Sequence, residues 1–349
     1  MTTSQIASLD PGDMLGKTLE LARQIEIGIG LGRDFLKEKR LTLPAELDWF
    51  GLGGSAIVGD LMDGLHLCPV PLRIWRQPGN ASGHALRPRI VYSYSGNTVE
   101  SLHAFDEAVS TKQVWLSVSS GGQLAARAHD SGIPHLMIPK GYPPRAAVGF
   151  GLGAFMVFFA ELSSKEIPWT ERESKALAAD VEKYRELDSN KNPALHLAEK
   201  LKEKTPILYA RDPIVGPCLV RRACAQFAEN AKTWSHGAIL PELAHNEVEA
   251  FPALAKLAPA PYVLFIGDWP FGDFPDPWGA VQTLLSELKI EWRQINFASQ
   301  SPSQESRILA GLRPMLFLDA VSVYLALLLG ENPLEIPTIT KLKRLQQRT

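Results

Sequence analysis

Residues 91–101, which read Val-Tyr-Ser-Tyr-Ser-Gly-Asn-Thr-Val-Glu-Ser, constrain the fold more than any other stretch of this chain. A β-compatible run ends abruptly in Ser-Gly-Asn-Thr, and the acidic Glu100 follows. This is the pattern of a buried strand that turns sharply into a helix. The N–H groups and the positive dipole end of a helix start suit a phosphate group, and hydroxyls add donors without adding charge. The segment therefore predicts a strand-turn-helix unit that binds a ligand by its phosphate.

Short strands alternate with helices through most of this 349-residue chain. Strands are predicted at 46–50, 70–75, 89–94, 113–118 and 135–138, and the alternation restarts with strands at 206–210, 262–266 and 291–296. Strands and helices at this spacing form a parallel sheet that is covered on both faces. Domains of roughly 100–200 residues each would divide a chain of this length in two. The sequence therefore predicts an α/β fold of two doubly wound parallel-sheet subdomains, residues 1–165 and residues 166–349.

Further helices are predicted at 14–37, 148–162, 170–187, 314–329 and 339–347, the last of them basic and amphipathic. Asp319 interrupts the apolar run at 315–329, which is predicted to be too short to span a bilayer. The N-terminus has neither the basic nor the apolar region of a signal peptide.

The composition excludes several classes of protein. The formal net charge of −2 gives no overall positive field that would attract nucleic acid or an anionic membrane. Cys68, Cys218 and Cys224 are widely spaced and show neither a metal-binding nor a disulfide pattern. Free thiols of this kind are typical of a reducing compartment. We therefore expect a cytoplasmic protein that binds neither nucleic acid nor membrane.

Turns rich in glycine and serine follow three of the predicted strands, at 51–55, 93–98 and 119–122. The carboxyl ends of parallel strands meet at one edge of a sheet, and ligands of open α/β sheets bind at that edge. Serine and glycine are also ordinary turn formers, so each of these turns has a purely structural explanation as well. Their repetition at one edge favours a ligand site.

The first of these turns, Gly-Leu-Gly-Gly-Ser-Ala at 51–56, also fits the dinucleotide fingerprint G-x-G-x-x-G/A. That fingerprint requires an acidic residue at the end of the second strand, where this chain has Arg76 instead. An arginine there suits a 2′-phosphate, so a nicotinamide or flavin cofactor stays open as an alternative, as does a turn without a ligand. The interpretation favoured is a small phosphorylated ligand that approaches the backbone of Gly53 and Gly54 closely.

Candidate groups for proton chemistry occur in both halves. Glu229 lies on a predicted helix, His245 follows it shortly, and a glutamate with a histidine can divide the duties of base and acid. Each of the two is also common as a solvated carboxylate or a structural histidine. Arg145 follows two prolines at a helix start, where a cation is unfavourable for the helix dipole. A bound anion would explain that arginine, and so would chance placement on the surface.

Taken together, these segments resemble the bifunctional phosphoglucose/phosphomannose isomerase family of the sugar isomerase (SIS) domain superfamily. The family's glycine turn, Gly-Met-Gly-Gly-Ser-(Gly/Ala)-Ile-Gly-Gly-Asp, corresponds to residues 51–60 here, where Val58 replaces a frequent glycine. Its phosphate loop, Ser-Tyr-Ser-Gly-Asn-Thr-x-Glu, corresponds to residues 93–100. Further family segments match residues 143–145, 229–232, 240–247 and 319–326, in order along the chain.

The resemblance implies two SIS domains, a homodimer with shared active sites, and no metal or other cofactor. The implied reaction interconverts fructose 6-phosphate with glucose 6-phosphate or mannose 6-phosphate through a cis-enediolate. Residues that correspond to the family's phosphate ligands are Ser55, Ser93, Ser95 and Thr98.

The resemblance also implies the catalytic roles. Glu229 corresponds to the base, His245 to the ring-opening histidine that the neighbouring subunit supplies, and Arg145 to the arginine beside the enediolate. The family's C-terminal lysine falls on Lys343, with Lys341 as the neighbouring alternative.

One departure from the family pattern and one alternative function bear on this interpretation. Many family members carry Asp-Pro-Thr-Pro before the last helix, and this chain has Asn-Pro-Leu-Glu at 332–335, which puts the mannose activity in more doubt than the glucose activity. SIS domains also serve as regulatory modules, and a non-catalytic sensor of sugar phosphates would need the phosphate loop but not Glu229 with His245.

Overall fold

The computed structural model describes residues 2–77, 87–268, 275–295, 297 and 306–346. By compactness these residues form two units. The first unit is Glu20–Ala176, and the second consists of the described residues of Met1–Leu19 and Leu177–Thr349. The functional division into residues 1–165 and 166–349 remains a prediction, since compactness groups the N-terminal helices with the C-terminal half.

The strands, in chain order, are β1 (Leu47–Phe50), β2 (Leu72–Trp75), β3 (Arg89–Tyr92), β4 (Val114–Ser119), β5 (His135–Met137), β6 (Thr205–Ala210), β7 (His236–Ile239), β8 (Pro261–Ile266) and β9 (Glu291–Ile295). The α-helices are α1 (Thr3–Leu9), α2 (Met14–Leu19), α3 (Leu21–Glu38), α4 (Gly54–Gly64), α5 (Val99–Ser110), α6 (Gly122–Asp130), α7 (Val148–Leu162), α8 (Glu171–Arg185), α9 (Pro193–Leu201), α10 (Gly216–Ala231), α11 (Phe251–Leu254), α12 (Trp278–Glu287), α13 (Arg307–Leu329) and α14 (Pro337–Gln346). Asn296 and Gln347, at which two predicted elements end, lie outside the described residues.

The first unit contains a parallel sheet in the order β2-β1-β3-β4-β5. Every residue of β1 and β3 is buried, as expected for central strands that helices cover on both faces. Trp49 of β1 lies in register with Ile74 of β2 and Ile90 of β3. The predicted doubly wound parallel sheet is therefore confirmed in this half.

The predicted helix at 14–37 is wrong in one respect, because the chain forms two helices there. α2 ends at Leu19, α3 begins at Leu21, and Glu20 between them has a non-helical backbone. α2 packs on α13 in the second unit, whereas α3 packs on α7 in the first. The two helices thus bury their apolar faces in different cores, which a single helical periodicity does not reveal.

The second unit contains a second parallel sheet, in the order β7-β6-β8-β9. β6 and β8 carry its core: Tyr209, Val263 and Phe265 are fully buried and belong to one hydrophobic cluster. The sequence interpretation missed β7, whose His-Gly-Ala-Ile lacks the alternation of a typical strand and which pairs at the edge of the sheet. The α/β class with two parallel sheets is confirmed.

α13 is longer than predicted, since it begins at Arg307 rather than at Pro314, which lies inside it. By length and composition this helix could cross a membrane, with a mean hydropathy of 1.8, so the expectation that the run is too short was wrong. However, 83% of that apolar window is buried inside the protein, where α13 packs against α9 and α10. Such burial is typical of the core helix of a globular domain.

Candidate active site

The carboxyl edge of the first sheet has a switch point between β1 and β3. From β1 the chain passes to β2 on one side of it and then returns to β3 on the other side. Ligands of open α/β sheets bind in the crevice at such a point. The turns at 51–55 and 93–98 follow β1 and β3 directly, so the fold brings these two turns together at the edge.

Hydrogen bonds connect the serine and threonine side chains of these two turns. The Ser55 hydroxyl accepts from the backbone N–H of Tyr94 at 3.1 Å, which joins the first turn to the second. Within the second turn, Ser93 Oγ donates to Thr98 Oγ1 at 3.2 Å. Ser55 and Ser93 are buried, and Thr98 is half-buried. Ser95 is exposed, and its hydroxyl accepts from the Asn97 N–H at 3.2 Å.

The starts of α4 and α5 provide the N–H groups that the sequence pattern indicates. Thr98 is the N-cap of α5, and its side chain makes no capping bond to the helix. Gly53 is the N-cap of α4, with a left-handed φ of 50°, and a Cβ on Gly53 would meet open space. The conformation at Gly53 thus favours glycine, while the open space leaves its backbone accessible to a ligand.

The third turn, at 119–122, supports the second turn. Both the N–H and the hydroxyl of Ser120 donate to the carbonyl of Tyr94 at 2.8 Å. Asn97 Oδ1 accepts from the N–H of Gln123 at 3.0 Å and so caps α6, and Ser119 Oγ donates to the Gly121 carbonyl at 2.7 Å. These polar groups of the third turn bond within the protein and so support the turn at 93–98.

Arg145 lies in a short 3-10 turn, Pro144–Ala146, and is buried to all but 5%. This turn approaches the start of α4 so closely that a Cβ on Gly54 would overlap the carbonyl oxygen of Pro144. The structure thus places Arg145 beside the glycine turn.

Tyr94 also holds the Arg145 segment to the phosphate loop. Its hydroxyl donates to the Pro139 carbonyl at 3.0 Å and accepts from the Tyr142 N–H at 3.1 Å. Burial raises the pKa of this phenol, which therefore stays protonated as a donor. Sequence analysis missed this residue, although its place between Ser93 and Ser95 in a buried turn was a usable signal.

Glu229 lies in the last turn of α10, in the second unit, and is half-buried. The helix ends in a left-handed residue, Lys232, whose φ is 53°. The Lys232 ammonium donates to the carbonyl oxygens of Glu229 at 3.2 Å, Asn230 at 3.0 Å and Asn332 at 2.5 Å. A lysine that satisfies the last carbonyls of a helix fixes the end of that helix and the residues on it.

His245 is in the same unit as Glu229, beyond β7, in the 3-10 turn Glu242–His245. Its imidazole is exposed, and the buried Leu243 anchors the turn from below. Lys343 and Lys341 both lie on α14, on which no residue is buried. The fold therefore does not decide between the two lysines.

Arg76 forms an ion pair with Asp60 of α4. This arginine is the residue that would suit the 2′-phosphate of a nicotinamide cofactor. Asp60 itself belongs to the glycine-turn segment at 51–60. An arginine that an aspartate already neutralises is less available to a 2′-phosphate. This contact weakens the dinucleotide interpretation of the glycine turn.

Comparison with protein families and curated proteins identifies several relatives. Residues 190–345 match the bacterial phospho-glucose isomerase C-terminal SIS domain. A bifunctional phosphoglucose/phosphomannose isomerase from Caldicellulosiruptor bescii is 33% identical, over 67% of this chain and 71% of the relative. A protein of the same name from Aquifex aeolicus is 26% identical, over 87% of this chain and 91% of the relative. A D-glucosamine-6-phosphate 4-epimerase from Sulfolobus acidocaldarius is 27% identical, over 59% of this chain and 64% of the relative.

Solved structures share the fold at low sequence identity. A hypothetical protein from Thermus thermophilus superposes with a TM-score of 0.75 at 14% identity, and the match covers 99% of this chain and 92% of that one. Tagatose-6-phosphate ketose/aldose isomerase from Escherichia coli superposes with a TM-score of 0.57 at 14% identity, over 92% of each chain. At these identities the superpositions establish the fold alone.

Proposed function

The chain belongs to the bifunctional phosphoglucose/phosphomannose isomerase family, and from this membership we propose that it interconverts fructose 6-phosphate with glucose 6-phosphate and mannose 6-phosphate. It is an aldose–ketose isomerase. The identity of its natural sugars and the roles of its residues are our proposal.

The proposal rests on the arrangement of polar groups at the carboxyl edge of the first sheet. Ser93 donates to Thr98 there, and the Ser55 hydroxyl accepts from the Tyr94 N–H. Both contacts lie beside a helix start without a side-chain cap, and the buried Arg145 lies next to the glycine turn. A sugar phosphate presents a dianion to such N–H and hydroxyl donors. We assign Ser55, Ser93, Ser95, Thr98 and the backbone of Gly53 and Gly54 to the phosphate.

The assignment of proton chemistry follows from the reaction. The closed sugar must first open, which requires a proton donor and acceptor near the ring oxygen, and we assign these to His245 and Lys343. Glu229 then removes the proton at C2 of the aldose and returns it at C1. Negative charge gathers on the enediolate, and the guanidinium of Arg145 stabilises it.

We further propose a homodimer with shared active sites, in which His245 acts in the site of the neighbouring subunit. Two SIS domains, residues 1–165 and 166–349, make up each chain, and the protein acts in the cytoplasm without nucleic acid or membrane as a partner. The free cysteines Cys68, Cys218 and Cys224 support a reducing compartment.

Turnover of fructose 6-phosphate by the purified protein, without added metal ion or nucleotide, tests the function. We expect glucose 6-phosphate and mannose 6-phosphate as products. Glu229→Gln should abolish turnover and retain sugar-phosphate binding, because it removes the base and keeps the shape of the side chain. Glu199→Gln is the matched control, since Glu199 is an exposed glutamate on α9.

The outcomes separate the alternatives. Folded protein that binds fructose 6-phosphate without forming either aldose would be a sensor. Turnover that depends on NAD(P)H would point to an oxidoreductase. Full activity in the Glu229→Gln variant would exclude Glu229 as the base.

A further inference from the structure

The loop that carries His245 is fixed at its two ends by apolar side chains. Leu240, Leu243 and Phe251 are at most 1% exposed and pack in the hydrophobic cluster that contains Tyr209. His245 lies between these anchors and is exposed. These apolar contacts hold both ends of the loop in the core, and Ala244 and Val248 between the ends also pack against the cluster. The polar side chains of the stretch at 244–250 depend on other contacts.

Glu247 provides a polar anchor within that stretch. Its Oε1 accepts a hydrogen bond from the Tyr209 hydroxyl at 2.5 Å and lies 3.0 Å from Nε2 of His236. Tyr209 is on β6 and His236 on the neighbouring strand β7, so Glu247 joins the loop to two paired strands. Burial, and then the hydrogen bond to Glu247, raise the pKa of Tyr209, which keeps its hydroxyl protonated as a donor.

An open cavity of about 580 Å³ lies between this loop and α10. Val220 and Cys224 line it from the helix, and Glu242, Asn246 and Glu247 line it from the loop. Because this space is open, packing from α10 leaves the loop room to shift. The bonds from Glu247 to the sheet restrict that shift, and the hydrogen bond from Asn246 Nδ2 to Glu242 Oε1 at 3.1 Å stiffens the loop itself.

We propose that Glu247 is a positioning residue, which holds the loop so that the His245 imidazole meets the sugar ring oxygen in the ring-opening step. The inference rests on the proposed function, in which His245 opens the ring. Glu247 follows His245 by two residues, a separation of roughly 7 Å at most along the chain. A loop released at Glu247 therefore displaces the imidazole, and a misplacement of about 1 Å reduces a rate on the order of a hundredfold.

Ring opening is measurable separately from isomerisation, because the two anomers of glucose 6-phosphate interconvert only through the open chain. We expect Glu247→Ala to lower the protein-catalysed anomer exchange, followed by exchange NMR, on the order of tenfold to a hundredfold. Tyr209→Phe removes the hydrogen bond to Glu247 and keeps the buried ring, so the rate of anomer exchange should fall about threefold to tenfold. Glu249→Gln is the matched control: Glu249 is exposed in the adjoining 3-10 turn Glu247–Ala250, and the exchange rate should not change.

A double-mutant cycle distinguishes positioning from general loss of structure. If Glu247 acts through His245, Glu247→Ala has no further effect in a His245→Asn background. An equal loss in both backgrounds, or full anomer exchange in a folded Glu247→Ala variant, would overturn the proposal. Should Glu247→Ala fail to fold, the same cycle with Tyr209→Phe decides the question.

Failure of the proposed function looks different. A wild-type protein that forms no aldose from fructose 6-phosphate contradicts the function itself. A wild-type protein that isomerises without accelerating anomer exchange contradicts the ring-opening role of His245, and with it the role of Glu247, but not the isomerase activity. Glu229→Gln, which should block isomerisation and preserve anomer exchange, shows that the two measurements are independent.

Discussion

The hydroxyl of Thr98 illustrates the residue scale. It accepts from Ser93 at 3.2 Å and stands at the N-cap of α5 without capping that helix. A hydroxyl in this position remains available to a ligand. In contrast, the hydroxyls of Ser119 and Ser120 bond to backbone carbonyls, and that of Ser119 also bonds to His135. Whether a serine or threonine hydroxyl at this edge can bind a ligand thus depends on which groups already accept its hydrogen bonds.

Thr98→Ala should raise the KM for fructose 6-phosphate about tenfold to a hundredfold and leave kcat nearly unchanged, because a hydrogen bond to a charged group is worth roughly 1.5–3 kcal/mol. The phosphate is at the unreactive end of the sugar. Losing a contact to it therefore weakens the binding of the substrate and of the transition state equally. Steady-state kinetics provide the measurement. Thr111→Ala, at the other end of α5, is the control, and an unchanged KM in Thr98→Ala would remove Thr98 from the site.

His135 gives a prediction about pH. Its ring nitrogens lie 2.8 Å from the Ser117 hydroxyl and 3.0 Å from that of Ser119, and burial lowers its pKa to about 4. Between pH 4 and about 6.5, His135 is therefore protonated in the unfolded chain and neutral in the folded chain. The free energy of unfolding falls as the pH is lowered through this range. The loss amounts to about 3 kcal/mol at most.

Urea unfolding at pH 7 and pH 4.5 measures this effect. The His135→Gln variant should lose this part of the pH dependence, whereas His103→Gln, which alters an exposed histidine on α5, should keep it. An identical pH dependence in wild type and His135→Gln would show that His135 does not cause it.

At the scale of elements, α3 and α7 approach each other backbone to backbone. A Cβ on Gly28 of α3 would overlap the carbonyl oxygen of Phe150, and a Cβ on Gly153 of α7 would overlap that of Ile25. Gly30, two residues beyond Gly28, is exposed, and a Cβ there would meet no atom within 4 Å. Two glycines of one helix therefore have different physical roles.

Gly30→Ala should stabilise the protein by up to about 1 kcal/mol through helix propensity. Gly28→Ala gains the same propensity but forces the two helices apart, and we expect a net loss of about 1–3 kcal/mol from overpacking. Urea unfolding of both variants at neutral pH is the measurement. Equal effects of the two substitutions would contradict the close approach of α3 and α7.

Elements differ in how much of them could be predicted. The sequence predicts the observed bounds of α7, Val148–Leu162, because the prolines at 143–144 and the length of the apolar run are local signals. The prediction missed α9, although Asn192 followed by a proline is a recognisable start: the Asn192 side chain accepts from Ala194 and Leu195 N–H groups at 2.9 and 3.0 Å.

At the scale of the whole molecule, the proposed homodimer with shared active sites leads to a prediction about mixed dimers. A dimer with Glu229→Gln in one chain and His245→Ala in the other retains one intact site if His245 acts in the neighbouring subunit's site. Such a heterodimer, purified through two different tags, should show about half of the wild-type activity, although each parent homodimer is inactive. An inactive heterodimer would indicate that each chain supplies both residues to its own site.

The amino-acid sequence alone was sufficient to predict the strand–helix alternation, the serine- and glycine-rich turns after β1 and β3, and the family to which the chain belongs. These depend on periodicity, turn chemistry and short motifs, which act between residues close in the chain. The three-dimensional packing was needed to show that Asn97 caps α6, that Arg76 pairs with Asp60, and that Tyr209 binds Glu247 38 positions later. Such contacts join residues far apart in sequence, and their energies depend on which groups the packed core deprives of water.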